Sequence, residues 1–127
     1  MASVLKTRCS KRWYLYLMNE LQIQNQIRLA IGQLPDVVIW RNESGVAEHR
    51  GRYVRYGLQK GSSDLIGTLA PYGRFLALEV KTPNGRISKE QKLFLDLVRR
   101  QGGFACVVRS AEEALSAIER ARKGEST

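Results

Sequence analysis

The sequence predicts an α/β domain in which helices flank a central, mixed β-sheet. Segments with apolar residues at helical spacing alternate with apolar segments of about four to eight residues, the length of buried strands. Residues 75–108 have the order strand, helix, strand, which favours a right-handed crossover between two parallel strands. Residues 65–69 and 75–81 are joined by a short Pro-Tyr-Gly turn, so these two strands should be antiparallel.

The first elements along the chain are a helix and a series of short strands. Residues 19–33 carry apolar side chains at helical spacing, and Gly32 with Pro35 ends the helix. The apolar residues 37–40 predict a buried strand. Turns at residues 43–45 and around Arg50 then predict an antiparallel meander that closes with a strand at residues 52–56.

Capping residues delimit the two later helices. Ser88 and Gln91 have the spacing of a capping box, and two glycines end the helix that follows. Ser110 and Glu113 repeat the capping-box spacing after a strand at residues 104–108. We expect the chain to fray after Lys123.

Composition indicates one folded, basic domain. A chain of 127 residues, 43% of them hydrophobic, fits a single domain with its own core. Twenty-one Lys and Arg against twelve Asp and Glu give a formal charge of +9, which favours a nucleic-acid partner. No apolar run approaches the roughly 20 residues that cross a bilayer, and the two cysteines lack zinc-site spacing. We therefore expect a cytoplasmic protein.

Three residues carry the chemistry. Glu79 and Lys81 are two apart on one strand, so both side chains share a face, whereas Leu78 and Val80 point to the opposite face. Asp64 begins the preceding strand, and antiparallel pairing through the turn would bring its carboxylate close to Glu79. The pattern therefore predicts a site made of two carboxylates and a lysine.

Two close carboxylates indicate a hard divalent cation such as Mg²⁺, because their charges repel unless a cation lies between them. Asp64 and Glu79 would be its ligands, and Lys81 would orient water or stabilise developing negative charge. This chemistry is phosphodiester hydrolysis. An E-x-K triplet also arises by chance at a solvated strand end, and the triplet alone does not exclude that alternative.

Longer motifs resemble the virus-type replication-repair nuclease (VRR-NUC) family, a branch of the PD-(D/E)XK nuclease superfamily. The central motifs are Gly-Ser-Ser-Asp-Leu-Ile-Gly at residues 61–67, Leu-Glu-Val-Lys-Thr at residues 78–82 and Ser-Lys-Glu-Gln at residues 88–91. The similarity extends over about residues 20–114, and residues 1–18 form an extension outside it. The resemblance implies a restriction-endonuclease-like core, Mg²⁺ or Mn²⁺ as cofactor, and homodimers that act on branched DNA such as four-way (Holliday) junctions.

The resemblance also implies roles for particular residues. The expected catalytic residues are Glu20, Asp64, Glu79, Lys81 and Gln91. The expected metal ligands are Asp64, Glu79, the backbone carbonyl of Val80 and, for a second ion, Glu20. Two of these residues have structural alternatives, because Glu20 could favour the positive end of its helix and Gln91 could serve only the capping box.

A third set is expected to contact nucleic acid: Asn42, Lys60, Ser62, Ser63, Arg86, Lys89 and Lys92. Trp40, the last residue of the first predicted strand, is expected in the core rather than against a base. The apolar residues 13–18 could contribute to a dimer interface or pack on their own domain.

Three alternative functions compete with a metal-dependent DNA endonuclease. Another PD-(D/E)XK repair nuclease or junction resolvase would share Asp64, Glu79 and Lys81. A DNA-binding module without catalysis would be expected to lose one of these residues, whereas all three are present. A ribosomal or RNA-binding protein would account for the charge but not for the paired carboxylates.

Overall fold

A computed structural model of the protein describes residues 17–127 and shows a mixed sheet flanked by three helices. Its elements in chain order are α1 (Glu20–Ile31), β1 (Val37–Arg41), β2 (Gly45–His49), β3 (Arg52–Tyr56), β4 (Leu65–Leu69), β5 (Arg74–Val80), α2 (Lys89–Arg100), β6 (Phe104–Val108) and α3 (Ala111–Arg122). None of the helices within residues 17–127 combines the length and the apolar character needed to cross a bilayer.

The central sheet has four strands in the order β1-β4-β5-β6. β4 pairs antiparallel with both β1 and β5, whereas β5 and β6 are parallel and are linked through α2. The predicted α/β class, mixed sheet and flanking helices are confirmed, and the arrangement is that of a restriction-endonuclease-like core. β2 and β3 form a separate two-stranded sheet.

Helices cover the two faces of the sheet unequally. On one face, the buried isoleucines Ile23, Ile27 and Ile31 of α1 pack with α3 against side chains from all four strands. On the other face, α2 packs against Ala77 of the inner strand β5 and Ala105 of the edge strand β6. The part of that face formed by β1 and β4 has no helix over it among the described residues.

The predicted meander is wrong, because β1 pairs with β4 rather than with β2. Val37 lies opposite Leu69, and both side chains are buried against α1. Strands β2 and β3 have no buried residue, so they offer no apolar face with which to join the core. Burial therefore selects β4 as the partner of β1, although 23 residues separate the two strands.

The expectation of a buried first strand, with Trp40 in the core, is also wrong. Trp40 is 43% exposed and Val38 is 59% exposed, whereas Val37 on the opposite face is buried. β1 is an edge strand, and its second face lies beyond the reach of α2. Only alternate residues of β1 are therefore covered.

Of the two capping boxes predicted from the sequence, the one at α2 is confirmed and the one at α3 is confirmed only in part. Ser88 and Gln91 form both hydrogen bonds of the predicted capping box. Ser110 accepts from the backbone N–H of Glu113, but the Glu113 carboxylate accepts from the Arg109 N–H instead of returning to Ser110. The second capping box is thus half formed.

The C-terminal tail does not fray as expected. The backbone N–H of Ala105 donates to the Ser126 carbonyl, which ties the tail to β6. Arg74 and Arg99 also donate to Glu125 and Thr127, respectively. The bond from Ala105 satisfies a backbone N–H at the exposed edge of β6.

Candidate metal centre and active site

Asp64 and Glu79 are brought together by the register of β4 and β5. Leu65 lies opposite Leu78 in this antiparallel pair, so the next residues outward, Asp64 and Glu79, are also opposite each other. An Asp64 Oδ2 accepts a hydrogen bond of 2.9 Å from the Val80 N–H, which fixes the orientation of the carboxylate. The juxtaposition predicted from the hairpin is present.

Glu20 adds a third carboxylate from the first turn of α1. Carboxylate oxygens of Glu20, Asp64 and Glu79 all lie within 4.8 Å of one another. Three carboxylates at such distances repel one another unless protons or a cation reduce their charge. Oxygen donors of this kind are the ligands that Mg²⁺ and Mn²⁺ prefer in proteins.

The burial and the charged surroundings of Glu79 fit a ligand of a divalent cation. Its side chain is 1% exposed, and burial, followed by the charge of Asp64, raises the pKa of Glu79 to about 8. Burial, again followed by Asp64, also raises the pKa of Glu20. Glu79 Oε2 is buried and has no hydrogen-bond partner among the described residues. A buried oxygen of this type costs free energy unless a donor or a cation meets it, so the residues present fit a divalent ion.

Lys81 and Gln91 both approach the other oxygen of Glu79. The Lys81 Nζ lies 3.6 Å from Glu79 Oε1. The Gln91 amide donates to the same oxygen at 2.8 Å, while Gln91 Oε1 accepts from the Ser88 N–H. Capping and active-site contact therefore coexist in Gln91, and they leave Oε2 of Glu79 free for a cation.

Asn42 and Ser63 organise the loop that carries Asp64. The Asn42 N–H donates to the Asp64 carbonyl, and its side-chain amide donates to Ser62 Oγ and the Ser63 carbonyl, each at 2.9 Å. Ser63 is fully buried and its hydroxyl donates to the Leu65 carbonyl. The Ser63 side chain is therefore directed into the protein, and the contact of Ser63 with nucleic acid stays a prediction.

The loop before Asp64 also lies against the helix that carries Gln91. Gly61 has a φ of +89°, and a Cβ at this position would lie 2.5 Å from the backbone of Glu90. Only glycine fits both the backbone conformation and the close approach. This contact holds the Asp64 loop next to the first turn of α2.

Four basic residues expected to contact nucleic acid are exposed near these carboxylates. Lys60 lies in the loop before Asp64, Arg86 in the loop after β5, and Lys89 and Lys92 in the first turn of α2. None of the four forms an ion pair within residues 17–127. Their charges are available to phosphates.

Arg109 is a residue whose role the sequence did not indicate. Its guanidinium donates to the carbonyls of Thr82 and Gly85 at 2.6 and 2.7 Å, and so holds the loop that follows Lys81. The Lys81 N–H also donates to the Val108 carbonyl, one residue before Arg109. Such side chain-to-backbone contacts leave no spacing pattern, although Arg109 lies within a stretch that resembles the nuclease family.

Comparison with known proteins identifies the family. The VRR-NUC domain matches residues 46–112, more than half of the chain, from β2 to the start of α3. The matched region contains Asp64, Glu79, Lys81 and Gln91, whereas Glu20 precedes it. No curated protein gave a match. The chain therefore belongs to the VRR-NUC domain family of nucleases.

Proposed function

We propose that the protein is a Mg²⁺- or Mn²⁺-dependent endonuclease that hydrolyses phosphodiester bonds in branched DNA. The observation that carries this proposal is the buried Oε2 of Glu79, which has no hydrogen-bond partner within residues 17–127 and lies beside two further carboxylates and Lys81. Membership of a nuclease family supports the reaction class. The resemblance noted in the sequence supports branched DNA, including four-way junctions, as the substrate.

The proposed ligands of the cation are Asp64 and Glu79 with the backbone carbonyl of Val80, and Glu20 would serve a second ion. When bound there, a divalent ion polarises the scissile phosphate and lowers the pKa of water. Lys81 contributes a localised positive charge that orients the attacking water and stabilises negative charge as it develops. Gln91 holds Glu79 through Oε1, so that Oε2 keeps its orientation.

Substrate binding is assigned to the basic residues around this site. Lys60, Arg86, Lys89 and Lys92 would contact phosphates, which fix the position of DNA without reading its sequence. Ser62 accepts from Asn42 in the structure, so these two residues would support the DNA-facing loop and present its backbone to the substrate. We propose that residues 20–114 form the core of a single nuclease domain to which residues 1–18 are an extension.

The first test is incubation of purified protein with nicked, flap, splayed and four-way DNA, with and without each metal. We expect cleavage with Mg²⁺ or Mn²⁺ and strongest cleavage of branched substrates. Ca²⁺ should support binding without turnover, because Ca²⁺ accepts irregular coordination at longer distances than Mg²⁺. Equal cleavage in the presence of a chelator would remove the metal from the reaction. Binding without cleavage under all metals would favour the non-catalytic DNA-binding module.

We further propose that the active form is a homodimer. One site of this size cuts one strand, whereas a four-way junction requires two opposed cuts, and two-fold symmetry supplies two sites. The uncovered sheet face offers an interface, since Val38, Trp40 and Phe75 are at least 37% exposed and lie together on β1 and β5, on either side of β4. Most of the apolar segment at residues 13–18 lies outside the described residues, and its Met18 is buried in the core.

Mixed dimers test this assembly. Dimers of one wild-type and one Lys81→Ala subunit should nick a junction on one strand without resolving it, since only one of the two active sites contains Lys81. Trp40→Ser should shift the protein towards monomers in light scattering, with Leu29→Ser, another exposed apolar residue, as the control. A wild-type protein that is strictly monomeric with and without junction DNA would contradict the homodimer.

A further inference from the structure

The β2–β3 hairpin stands apart from the rest of the domain. Within residues 17–127 it makes no strand pairing with the four-stranded sheet, and every residue of its strands except Gly45 is exposed. Its turn has positive φ at both central residues, 51° at Arg50 and 78° at Gly51, which matches the right-handed twist of the strands. The hairpin is therefore a regular two-stranded ribbon that contributes no side chain to the core.

The side chains of this hairpin are suited to nucleic acid. Arg50, Arg52 and Arg55 form no ion pair with any residue in the described part of the chain. Tyr53 is 80% exposed, and Tyr56 is 49% exposed. Arginine binds phosphate through a planar set of donors, and a tyrosine ring can stack on a base or sugar.

The base of the hairpin lies beside the candidate active site. Shortly before the first strand of the hairpin begins, the chain passes Asn42, whose N–H donates to the Asp64 carbonyl; only Glu43 and Ser44 lie between Asn42 and β2. Gly57, with a φ of +81°, lies so close to Glu43 and Ser44 that no side chain would fit, which closes the base. The ribbon thus begins three residues after a contact to Asp64.

The dimensions also fit a duplex. A strand of five residues extends for roughly 17 Å. The major groove of B-form DNA is about 12 Å wide and admits a two-stranded ribbon. A ribbon that begins beside the carboxylates can therefore reach duplex next to the cleaved bond.

We propose that the β2–β3 hairpin is a DNA-binding arm that holds the duplex adjoining the scissile phosphate through Arg50, Arg52 and Arg55. This inference rests on the proposed nuclease function for the identity of its ligand. The arm supplies affinity, whereas Asp64, Glu79 and Lys81 supply the chemistry.

The test compares two triple variants by fluorescence anisotropy on a duplex, in Ca²⁺ at several salt concentrations. The arm variant carries Arg50→Gln, Arg52→Gln and Arg55→Gln. The control carries Arg28→Gln, Arg100→Gln and Lys123→Gln, which removes equal charge from exposed residues at or near the C-terminal ends of the three helices.

We expect the arm variant to lose duplex affinity about tenfold or more at 0.1 M salt, because it loses contacts to phosphates. Each lost contact should also reduce the slope of log K against log salt concentration by about 0.9. The size of this slope should therefore fall by roughly two to three in the arm variant and by less than one in the control. Cleavage at saturating DNA should stay within about twofold of wild type, with the loss confined to KM.

Other outcomes would contradict the proposed DNA-binding role of the hairpin. Equal slopes for the arm variant and wild type would show that the arginines touch no phosphate. Equal slopes together with a loss of self-association in light scattering would show that the hairpin binds a second copy of the chain. If the triple variant does not fold, Arg55→Gln alone should lower the slope by about 0.9, and an unchanged slope would again overturn the proposal.

The binding assay also separates this inference from the proposed function. It needs no turnover, so the salt dependence of binding tests whether the hairpin contacts DNA even if the wild-type protein cleaves no substrate. Conversely, normal cleavage by a variant with an unchanged slope would reject the arm and leave the nuclease function intact.

Discussion

Replacing Lys81 with alanine should lower the rate of DNA cleavage by about a hundredfold or more, because loss of one positioned group that stabilises developing charge has this effect in other enzymes. Asp64→Ala and Glu79→Ala should abolish cleavage, since each removes a proposed ligand of the cation. Duplex affinity should change little in the Lys81 variant, because affinity comes mainly from phosphate contacts elsewhere. Single-turnover cleavage and anisotropy in Ca²⁺ measure the two effects separately.

Lys92→Ala is the matched control for this experiment. Lys92 is an exposed lysine on α2, near the site but without contact to Glu79. Its loss should weaken DNA binding and leave the single-turnover rate at saturating DNA unchanged. Full cleavage by the Lys81→Ala protein would refute the role assigned to Lys81, whatever the effect on binding.

The parts of the site that could be predicted from sequence are those set by local pairing. Asp64 and Glu79 lie on strands joined by a four-residue turn, so the hairpin register alone brings them together. Glu79 and Lys81 share a face because side chains alternate along an extended chain. Ser88 and Gln91 have a spacing that is itself the mark of a helix start.

The parts that escaped prediction depend on distant contacts. The pairing of β1 with β4, rather than with the next strand, depends on a face covered by α1. The exposure of Trp40 follows from the limited reach of α2 across the sheet, which no local pattern reveals. Asn42 and Arg109 act through backbone carbonyls of loops, and carbonyl positions are not encoded in residue spacing.

The second large effect concerns the stability of the metal-free protein, which we expect to fall as pH rises from about 5 to 8. Burial and the charge of Asp64 raise the pKa of Glu79 from 4.5 to about 8. Between these values the folded state holds a proton that the unfolded state has lost, so each step up in pH favours unfolding. The loss should be about 2 to 5 kcal/mol in all, and it should level off above pH 8.

Glu79→Gln should remove most of this pH dependence and raise the melting temperature of the metal-free protein at pH 8 by about 10 °C. The amide keeps the shape of the side chain and carries no charge. Its oxygen can still accept from Gln91, and its NH₂ group places a donor beside the Asp64 carboxylate. The same change should abolish cleavage, so stability and activity would move in opposite directions.

Thermal unfolding at pH 6 and pH 8, with chelator and with Mg²⁺, measures each of these effects. Mg²⁺ should stabilise the wild type more at pH 8 than at pH 6, because the cation binds the carboxylate only after its proton has left. Glu79→Gln should lose this stabilisation, whereas the exposed Glu48→Gln should behave as wild type. A metal-free wild type whose stability is constant or rises between pH 6 and pH 8 would show that Glu79 is ionised without cost. In that case the buried carboxylate would have a partner other than a cation, and Oε2 of Glu79 would not be a metal ligand.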